Sequence, residues 1–490
     1  MTEILRWILK LDVYIITFVT TLLWLSVFES SIHMLQLNSY KNDAHLKWLF
    51  KPLKNLFNTY FGGKTKAKAK KPLVYTHRVI RMTATGLVLY FITGLFLVWL
   101  KLYLLMPILV IFAPLFPILA NIINAPIEKA NNNRYIKDAK RIISSRPDLI
   151  TIGVTGSYGK TSTKFYLKKL LSAKYNVLMT PESYNTTLGV VKTVRNDLLP
   201  THEIFICEMG MKWRGDIAEI CDIVNPKHAM ITSIGHQHLE SMKTIENIID
   251  EKFSVTNSIT DGICFLNYDN EYICEHRLDK NTIRYGISHS QVDYEARDIT
   301  VSEKGTAFTV YAKNGETAAF KTQLIGEHNV QNILGAIAVS HTLGIALNEL
   351  ILPVKRLEPA PHRLQIKATG NTTIIDDSFN SNPAGAKAAL DALKLFDGVK
   401  ILITPGMVEL GEKSEQLNKA LGEKAASSCD YALLIGKNQA PPIKAGLTER
   451  GFDESKIHVF NSFNEGMTFA NGIDAPKKVI LIENDLPDNY

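Results

Sequence analysis

Backbone and side chains suited to gripping phosphate stand together in the run Gly153-Val-Thr-Gly156-Ser157-Tyr-Gly159-Lys160-Thr161-Ser162-Thr163. Glycines let the chain curl so that successive N–H groups point at phosphate oxygens, and a helix beginning there adds the positive end of its dipole. In such a loop Lys160 reaches the β- and γ-phosphates of a nucleotide, and the Thr161 hydroxyl ligates Mg²⁺. Gly156, Ser157, Gly159 and Ser162 complete the cradle expected around ATP. One detail departs from the general pattern. The position where the first glycine is usual holds Val154, and glycines sit instead at 153 and 156. A glycine turn that only caps a helix is the plainer alternative, but a strand, Gly-Lys-Thr and a helix in that order exceed what a cap needs.

A nucleotide-using enzyme also needs a carboxylate or a neutral imidazole to complete Mg²⁺ coordination, usually at a strand end near the loop. Glu208 closes the apolar run Ile204-Phe-Ile-Cys-Glu208 and is placed at the carboxyl edge of a sheet, where ligands collect. His236 and His238 follow the next strand region, as either a metal pair or an ordinary loop pair. Lys252 lies one helix later. It is either a site residue or a core-edge charge paired with Asp250 or Glu251.

Alternating elements must position these groups. Strands are expected at 149–154, 175–179, 203–208 and 228–233, with helices from Lys160 and near 216–221, which reads as a parallel sheet with crossover helices. A β-richer patch at 282–324 leads into a long helical segment through His341. A second alternating block has strands near 372–377, 400–404, 431–435 and 478–483 and a helix at 384–394. The break falls at Glu358-Pro-Ala-Pro-His362. The expected fold class is α/β, with a parallel-sheet phosphate-loop domain at 149–357, a smaller Rossmann-like domain at 358–490 and a linker at 126–148.

Residues 1–125 read differently. The run 11–28 is apolar, and 83–119 carries Lys101 as its only charge. A bilayer-spanning helix takes about 20 mostly apolar residues, so about three hydrophobic segments are expected, at 11–28, 83–100 and 102–121. Pro107, Pro114 and Pro117 make the third a kinked span or a re-entrant hairpin. Val27-Phe-Glu-Ser-Ser is a poor signal-peptide cleavage site. Lysines and arginines crowd 41–81 and 129–146, so both flanks belong in the cytoplasm and the short N-terminus outside. The chain is therefore expected to be multi-pass in the cell membrane, with cytoplasmic catalytic domains. Residues 46–57 mix bulky apolar and basic side chains, which suits either a helix on an anionic lipid surface or a solvated linker.

At 490 residues, 46% apolar and 21% charged, the rest of the chain has a globular composition. The net charge of +7 arises mostly in the 41–81 region, and no basic stripe interleaved with aromatics argues for nucleic acid. The five cysteines form no C-x-x-C pair, so neither a disulfide framework nor a zinc site is indicated.

Taken in order, Gly153 to Thr163, Glu208-Met-Gly, His238-Leu-Glu, Lys252, Leu266-Asn-Tyr-Asp269, Gly326-x-His328-Asn329-x-x-Asn332, His362-Arg363-Leu and Asp376-Asp-Ser-Phe-Asn380-Ser-Asn-Pro resemble the Mur ligase family, closest to its D-Ala-D-Ala-adding branch. The resemblance implies ATP-dependent amide bond formation through an acyl phosphate, with a mobile last domain. It implies that Lys160 stabilises the transferring phosphoryl group, that Thr161 and Glu208 hold one Mg²⁺, and that His238 holds a second. Lys252 falls at the position of a lysine the family carbamylates. His328 and Asn329 are similar to adenine-pocket residues, and Arg363 and Asp376 to residues that reach the nucleotide on closure.

Two departures bear on the substrate. Members acting on UDP-linked muramyl peptides carry an N-terminal UDP-sugar domain where this chain has membrane segments, and the end Leu481-Ile-Glu-Asn-Asp-Leu-Pro lacks the basic and small residues expected near the amine. The expected partners are a small-molecule, peptide or lipid-linked acceptor, an amino acid or peptide amine, and the membrane. A membrane-anchored ligase for a cell-wall precursor is favoured over a polyglutamate-type polymerising ligase and over a membrane-bound ATPase or scaffold without ligase activity.

Overall fold

The computed structural model describes residues 2–50, 59–60, 72–289, 291–379, 382–408 and 410–485, with side chains from Tyr14 onward except those of Tyr103 and Glu240. Lys51, Lys54, Lys64, Lys66, Lys68, Lys70 and Lys71 of the expected basic loop lie outside the described residues, as do most of residues 46–57, Asn380 and Glu409. The chain divides into two compact units, one running from the N-terminus to Arg134 and one spanning Tyr135–Asp485.

The first unit is helical. Helices Thr2–Leu37 and His77–Trp99 pack through Trp24, Phe28 and Tyr90, with Trp24 and Phe28 stacked at 4.7 Å. Gly86 permits this approach, because a Cβ there would lie 2.6 Å from the Phe28 ring. Two stretches, Tyr14–Leu37 and His77–Trp99, are long and apolar enough to cross a membrane. The third expected segment is not one helix. It breaks into Met106–Ile111, the 3-10 turn Ala113–Leu115 and the start of Phe116–Ser144. Pro107, Pro114 and Pro117 lack the amide donors that a continuous helix there would need.

The second unit holds two sheets. The larger has the order β2-β3-β1-β4-β5-β6-β7-β8-β9, from β1 (Ile150–Thr155), β2 (Val177–Met179), β3 (Ile204–Glu208), β4 (His228–Ile231), β5 (Cys264–Asn267), β6 (Thr282–Gly286), β7 (Tyr294–Ser302), β8 (Gly305–Ala312) and β9 (Thr317–Thr322). Its β2-to-β7 part is parallel, and β7, β8 and β9 are antiparallel. Strands β3, β4 and β5 are buried throughout, which is why they read as unbroken apolar runs. Because β1 lies between β3 and β4, the chain reverses direction across the sheet there, and the loops after these strands open on one crevice at their carboxyl ends.

The smaller sheet has the order β10-β11-β15-β12-β13-β14, with β10 (Gln365–Thr369) antiparallel to β11 (Thr372–Asp377) and the rest parallel: β12 (Val399–Thr404), β13 (Tyr431–Ile435), β14 (Ile457–Phe460) and β15 (Lys478–Glu483). Sequence reading misses β14, a four-residue strand that is only partly buried, and the helices Ser414–Ala426 and Ala440–Glu449. The expected strand at 175–179 shortens to Val177–Met179.

Candidate functional site

The phosphate-type loop connects β1 to the helix Lys160–Leu171. Gly159 has φ 80°, a left-handed conformation that favours glycine, and a Cβ there would lie 2.5 Å from Asn332 Oδ1. The loop is laced to the segment after β4. Ser157 N donates to Ser233 O at 2.6 Å, the Ser157 hydroxyl and Gly235 bond each other, and Tyr158 N donates to Ser233 Oγ at 2.9 Å. Lys160 folds back over the loop, donating from Nζ to Gly156 O at 2.6 Å and to Ser157 O at 3.2 Å. Burial pulls its pKa down to about 8; Glu208 opposes that shift and Arg363 reinforces it.

Glu208 is the hub beneath the loop. Its Oε1 accepts from the Thr161 hydroxyl at 3.0 Å and from Asn185 Nδ2 at 3.0 Å, while Oε2 pairs with Lys164 Nζ at 2.8 Å. Burial alone would raise the pKa of this carboxylate. The charges of Lys164 and Lys160 outweigh it and hold the group below the usual glutamate value. A hydroxyl and an ionised carboxylate in contact, under a loop that a Cβ would fill, fit a divalent cation with a nucleotide. Lys164 and Asn185 were not singled out from sequence. Lys164 follows Lys160 by one helical turn, a spacing that puts both on one face, whereas Asn185 sits in an aperiodic loop that gives no signal.

Lys252 is 1% exposed on the helix Ile245–Asn257 and makes no hydrogen bond or ion pair among the described residues. Its acidic neighbours are occupied elsewhere. Asp250 pairs with Arg214, and Glu251 accepts from Gly215 N and Ile217 N at the start of the helix Asp216–Val224. Burial first and the Lys160 charge second push the Lys252 pKa well down, against Glu251 and Glu208. His238 has φ 56° and begins the turn Leu239–Met242. It is not among the residues lining the two spaces described below. Among the described residues no three His, Cys, Asp or Glu side chains gather as a metal cluster.

A cleft of about 300 Å³ opens beside the loop, lined among others by Tyr158, Asn270, His328, Asn332, Arg363 and Asp377. It adjoins a recess of about 70 Å³ lined by Lys160, Thr161, Asn185, Glu208, Arg363 and Phe379. Arg363 contributes to both and lies over the Phe379 ring at 5.0 Å. Burial lowers its pKa, against Asp377 and Glu208. His328 is held neutral, its pKa pulled down to about 4 by burial. Asn329 lines the cleft, but its Oδ1 accepts from Tyr166 and its Nδ2 donates to Ile325 O. Asp376 does not line the cleft here: its carboxylate binds His362, Lys367 and Ser378, and Asp377 lines the cleft, because successive strand side chains point to opposite sides.

The family model for the Mur ligase middle domain matches residues 154–340, and that for the Mur ligase glutamate ligase domain matches 362–483. Together they take in well over half of the chain. This chain belongs to the Mur ligase family. The middle-domain match holds Lys160, Glu208, Lys252 and Asn329, and the second match holds Arg363, Asp376 and Asp377; the two matches leave residues 1–153 uncovered. Curated Mur ligases similar to this one include the UDP-N-acetylmuramoyl-tripeptide--D-alanyl-D-alanine ligases of Bacillus subtilis, 32% identical over 275 residues, and of Escherichia coli, 29% identical over 313 residues. The alignments cover 55% and 62% of this chain and 59% and 69% of those proteins, so the chain spans about three-fifths of the length of such relatives. Among solved Mur ligases, MurF from Acinetobacter baumannii shares the fold with a TM-score of 0.66 at 24% identity, over 72% of this chain and 77% of that one. MurF from Thermotoga maritima in complex with ADP gives 0.63 at 26% identity, over 72% and 80%.

Proposed function

We propose that this Mur ligase is a membrane-anchored, ATP-dependent, ADP-forming enzyme that joins a carboxylate to an amino-acid or peptide amine in the synthesis of a peptidoglycan-type cell-wall precursor. The observation that carries the reading is the convergence of Lys160, Thr161 and Glu208 with Arg363 on one recess, since Arg363 comes from the C-terminal region. We assign 149–357 to the central ATP-binding domain, 358–490 to the C-terminal domain and 126–148 to the linker.

In the proposed reaction the substrate carboxylate oxygen takes the terminal phosphoryl group of ATP, breaking its bond to ADP. The amine nitrogen then bonds to the acyl carbon, phosphate leaves, and the nitrogen loses a proton. Gly156, Ser157, Gly159 and Ser162 form the phosphate cradle, and Lys160 holds the terminal phosphoryl group. His328 and Asn329 contact the base. Arg363 adds positive charge and, with the C-terminal domain, excludes water from the acyl phosphate. Mg²⁺ neutralises phosphate charge when bound, one ion at Thr161 and Glu208 and a second at His238 and a carbamylated Lys252. Burial lowers the Lys252 pKa and so favours the neutral amine, the form that adds carbon dioxide at nitrogen, which supports that modification.

Membrane anchoring is supported by two span-length helices whose Phe18, Leu22, Phe91, Leu95 and Trp99 are more than half exposed. We place the helices in the cell membrane and the ligase domains in the cytoplasm, acting on a UDP-linked or lipid-linked acceptor. The test is ADP release by the full chain in membranes. It should require both a carboxylate acceptor and an amine; phosphate release indifferent to both would instead indicate an ATPase or scaffold. Mass spectrometry of the precursor accumulating in a Lys160→Ala strain would name the acceptor.

A further inference from the structure

Glu208 is the acidic side chain among the described residues lining the recess of about 70 Å³, which also holds Lys160 and Arg363. Lys164 is not among the lining residues, yet it adds a third cation at Glu208. The pair is buried, its side chains 0% and 1% exposed, with Lys164 Nζ 2.8 Å from Glu208 Oε2. Glu208 Oε1 is taken up by the Thr161 hydroxyl and the Asn185 amide, both at 3.0 Å. Lys164 is not free to turn away from its partner as a surface lysine would be. Its ammonium also donates to the main-chain carbonyl of Glu182, in a loop tied on both sides to β3 and the residues after it. Thr180 N donates to Ile206 O at 3.0 Å, and Gly210 N to Asn185 O at 2.8 Å.

A buried ion pair contributes little net stability over apolar side chains of the same size, because desolvation offsets its attraction. Its consequence here lies in the charge that remains in the recess. With Lys164 answering Glu208, the other charged lining residues are the cations Lys160 and Arg363. A free divalent cation entering that space meets repulsion that solvent and salt screen poorly at a buried site. A nucleotide reverses the balance. Its phosphates bring several negative charges, which answer Lys160 and Arg363 and offer the ion oxygen ligands beside Thr161 and Glu208.

We propose that Lys164 is a positioning residue that makes entry of the divalent cation conditional on the nucleotide. It holds Glu208 in place and answers its charge, so the site takes a metal together with phosphate and turns away the free ion. This rests on the nucleotide reading given above.

The test is the binding of Mn²⁺ to the purified full chain without nucleotide, read from the electron paramagnetic resonance signal of the free ion. The parent should bind it weakly. Lys164→Gln, which keeps a hydrogen-bond donor, and Lys164→Met, which keeps the shape, should each gain one site that binds Mn²⁺ about tenfold more tightly or better. Glu208→Gln added to either variant should return binding to the parent's level. A gain of affinity is not what a damaged fold produces. Tight binding of free Mn²⁺ by the parent would overturn the proposal, as would Lys164 variants that bind it no better than the parent. Equilibrium dialysis with ADP and Mn²⁺ tests the reading underneath. The parent and both single variants should retain ADP; a parent that retains none would remove the nucleotide reading and the proposal with it, whereas ADP retention without the Mn²⁺ gain overturns the role of Lys164 alone.

Discussion

Glu208 and Asp377 are carboxylates in the walls of adjoining spaces, yet their pKa values move in opposite directions. Glu208 is held below the usual value because Lys164 and Lys160 outweigh its desolvation. Asp377 is pushed up to about 6 because burial dominates, Arg363 only partly offsets it, and Asp376 adds negative charge. Their scaffolds differ in the same sense. Around Glu208 a hydroxyl, an amide and an ammonium are fixed by hydrogen bonds. Asp377 Oδ1 accepts from Leu364 N at 3.0 Å, in a segment where His362 and Leu364 are both in left-handed backbone at φ 59° and 49°. Glu208 thus lies in a floor wired to two lysines, and Asp377 in a wall at the junction leading into the smaller sheet, where Arg363 is the cation that opposes burial.

The sharpest way to break the comparison is on the floor. Glu208→Gln removes the only carboxylate paired with Lys164 among the described residues and leaves a buried ammonium opposite a neutral amide. Removing one partner of a buried pair costs about 3–5 kcal/mol, so chemical denaturation should show a loss of that order, and Lys164→Met in the same chain should recover much of it. A Glu208→Gln protein as stable as the parent would mean that the floor is not organised by charge.

Lys160→Ala should spare stability and remove turnover. Losing one preorganised phosphate or oxyanion donor costs on the order of 10²–10³ in rate, read as acceptor- and amine-dependent ADP release. Retained turnover would take Lys160 out of phosphoryl transfer. Lys252→Ala should cost less, on the order of 10–100-fold, as for groups that support a metal site. Short carboxylates should partly restore the rate, because they replace the proposed carbamate oxygens; full activity without rescue would remove Lys252 from the site.

How much of this was legible in the chain follows from what each signal depends on. The phosphate loop was, because glycine, lysine and threonine act locally with the strand and helix that flank them. Lys252 could be placed by resemblance, but its burial without a partner depends on Arg214 and the start of the helix Asp216–Val224 claiming Asp250 and Glu251. The choice between Asp376 and Asp377 was not legible. Neighbouring strand residues face opposite sides, and which side meets the cleft is set by pairing with β10 and β15. In the first unit, composition marked three apolar segments, and the prolines in the third turned it into short pieces.

The smallest expected effect sharpens the contrast at its other end. Because the Asp377 carboxyl is raised to about 6 by burial, it binds its proton more tightly in the folded chain than in the unfolded one. Its contribution to stability is therefore complete below the ordinary aspartate pKa of about 4, falls as pH rises, and is gone above about 6. The loss should be about 3 kcal/mol at most, and Asp377→Asn should flatten the unfolding midpoint across that window. Glu208 has the opposite sign, its stabilisation being present above the ordinary glutamate value and lost as pH falls through its depressed one. The two windows meet but do not coincide, so urea titrations at a series of pH values distinguish them. If Asp377→Asn leaves the decline between pH 4 and 6 untouched, burial does not raise this carboxyl in the folded chain, because Glu208, whose stabilisation is lost as pH falls, cannot produce a decline of that sign.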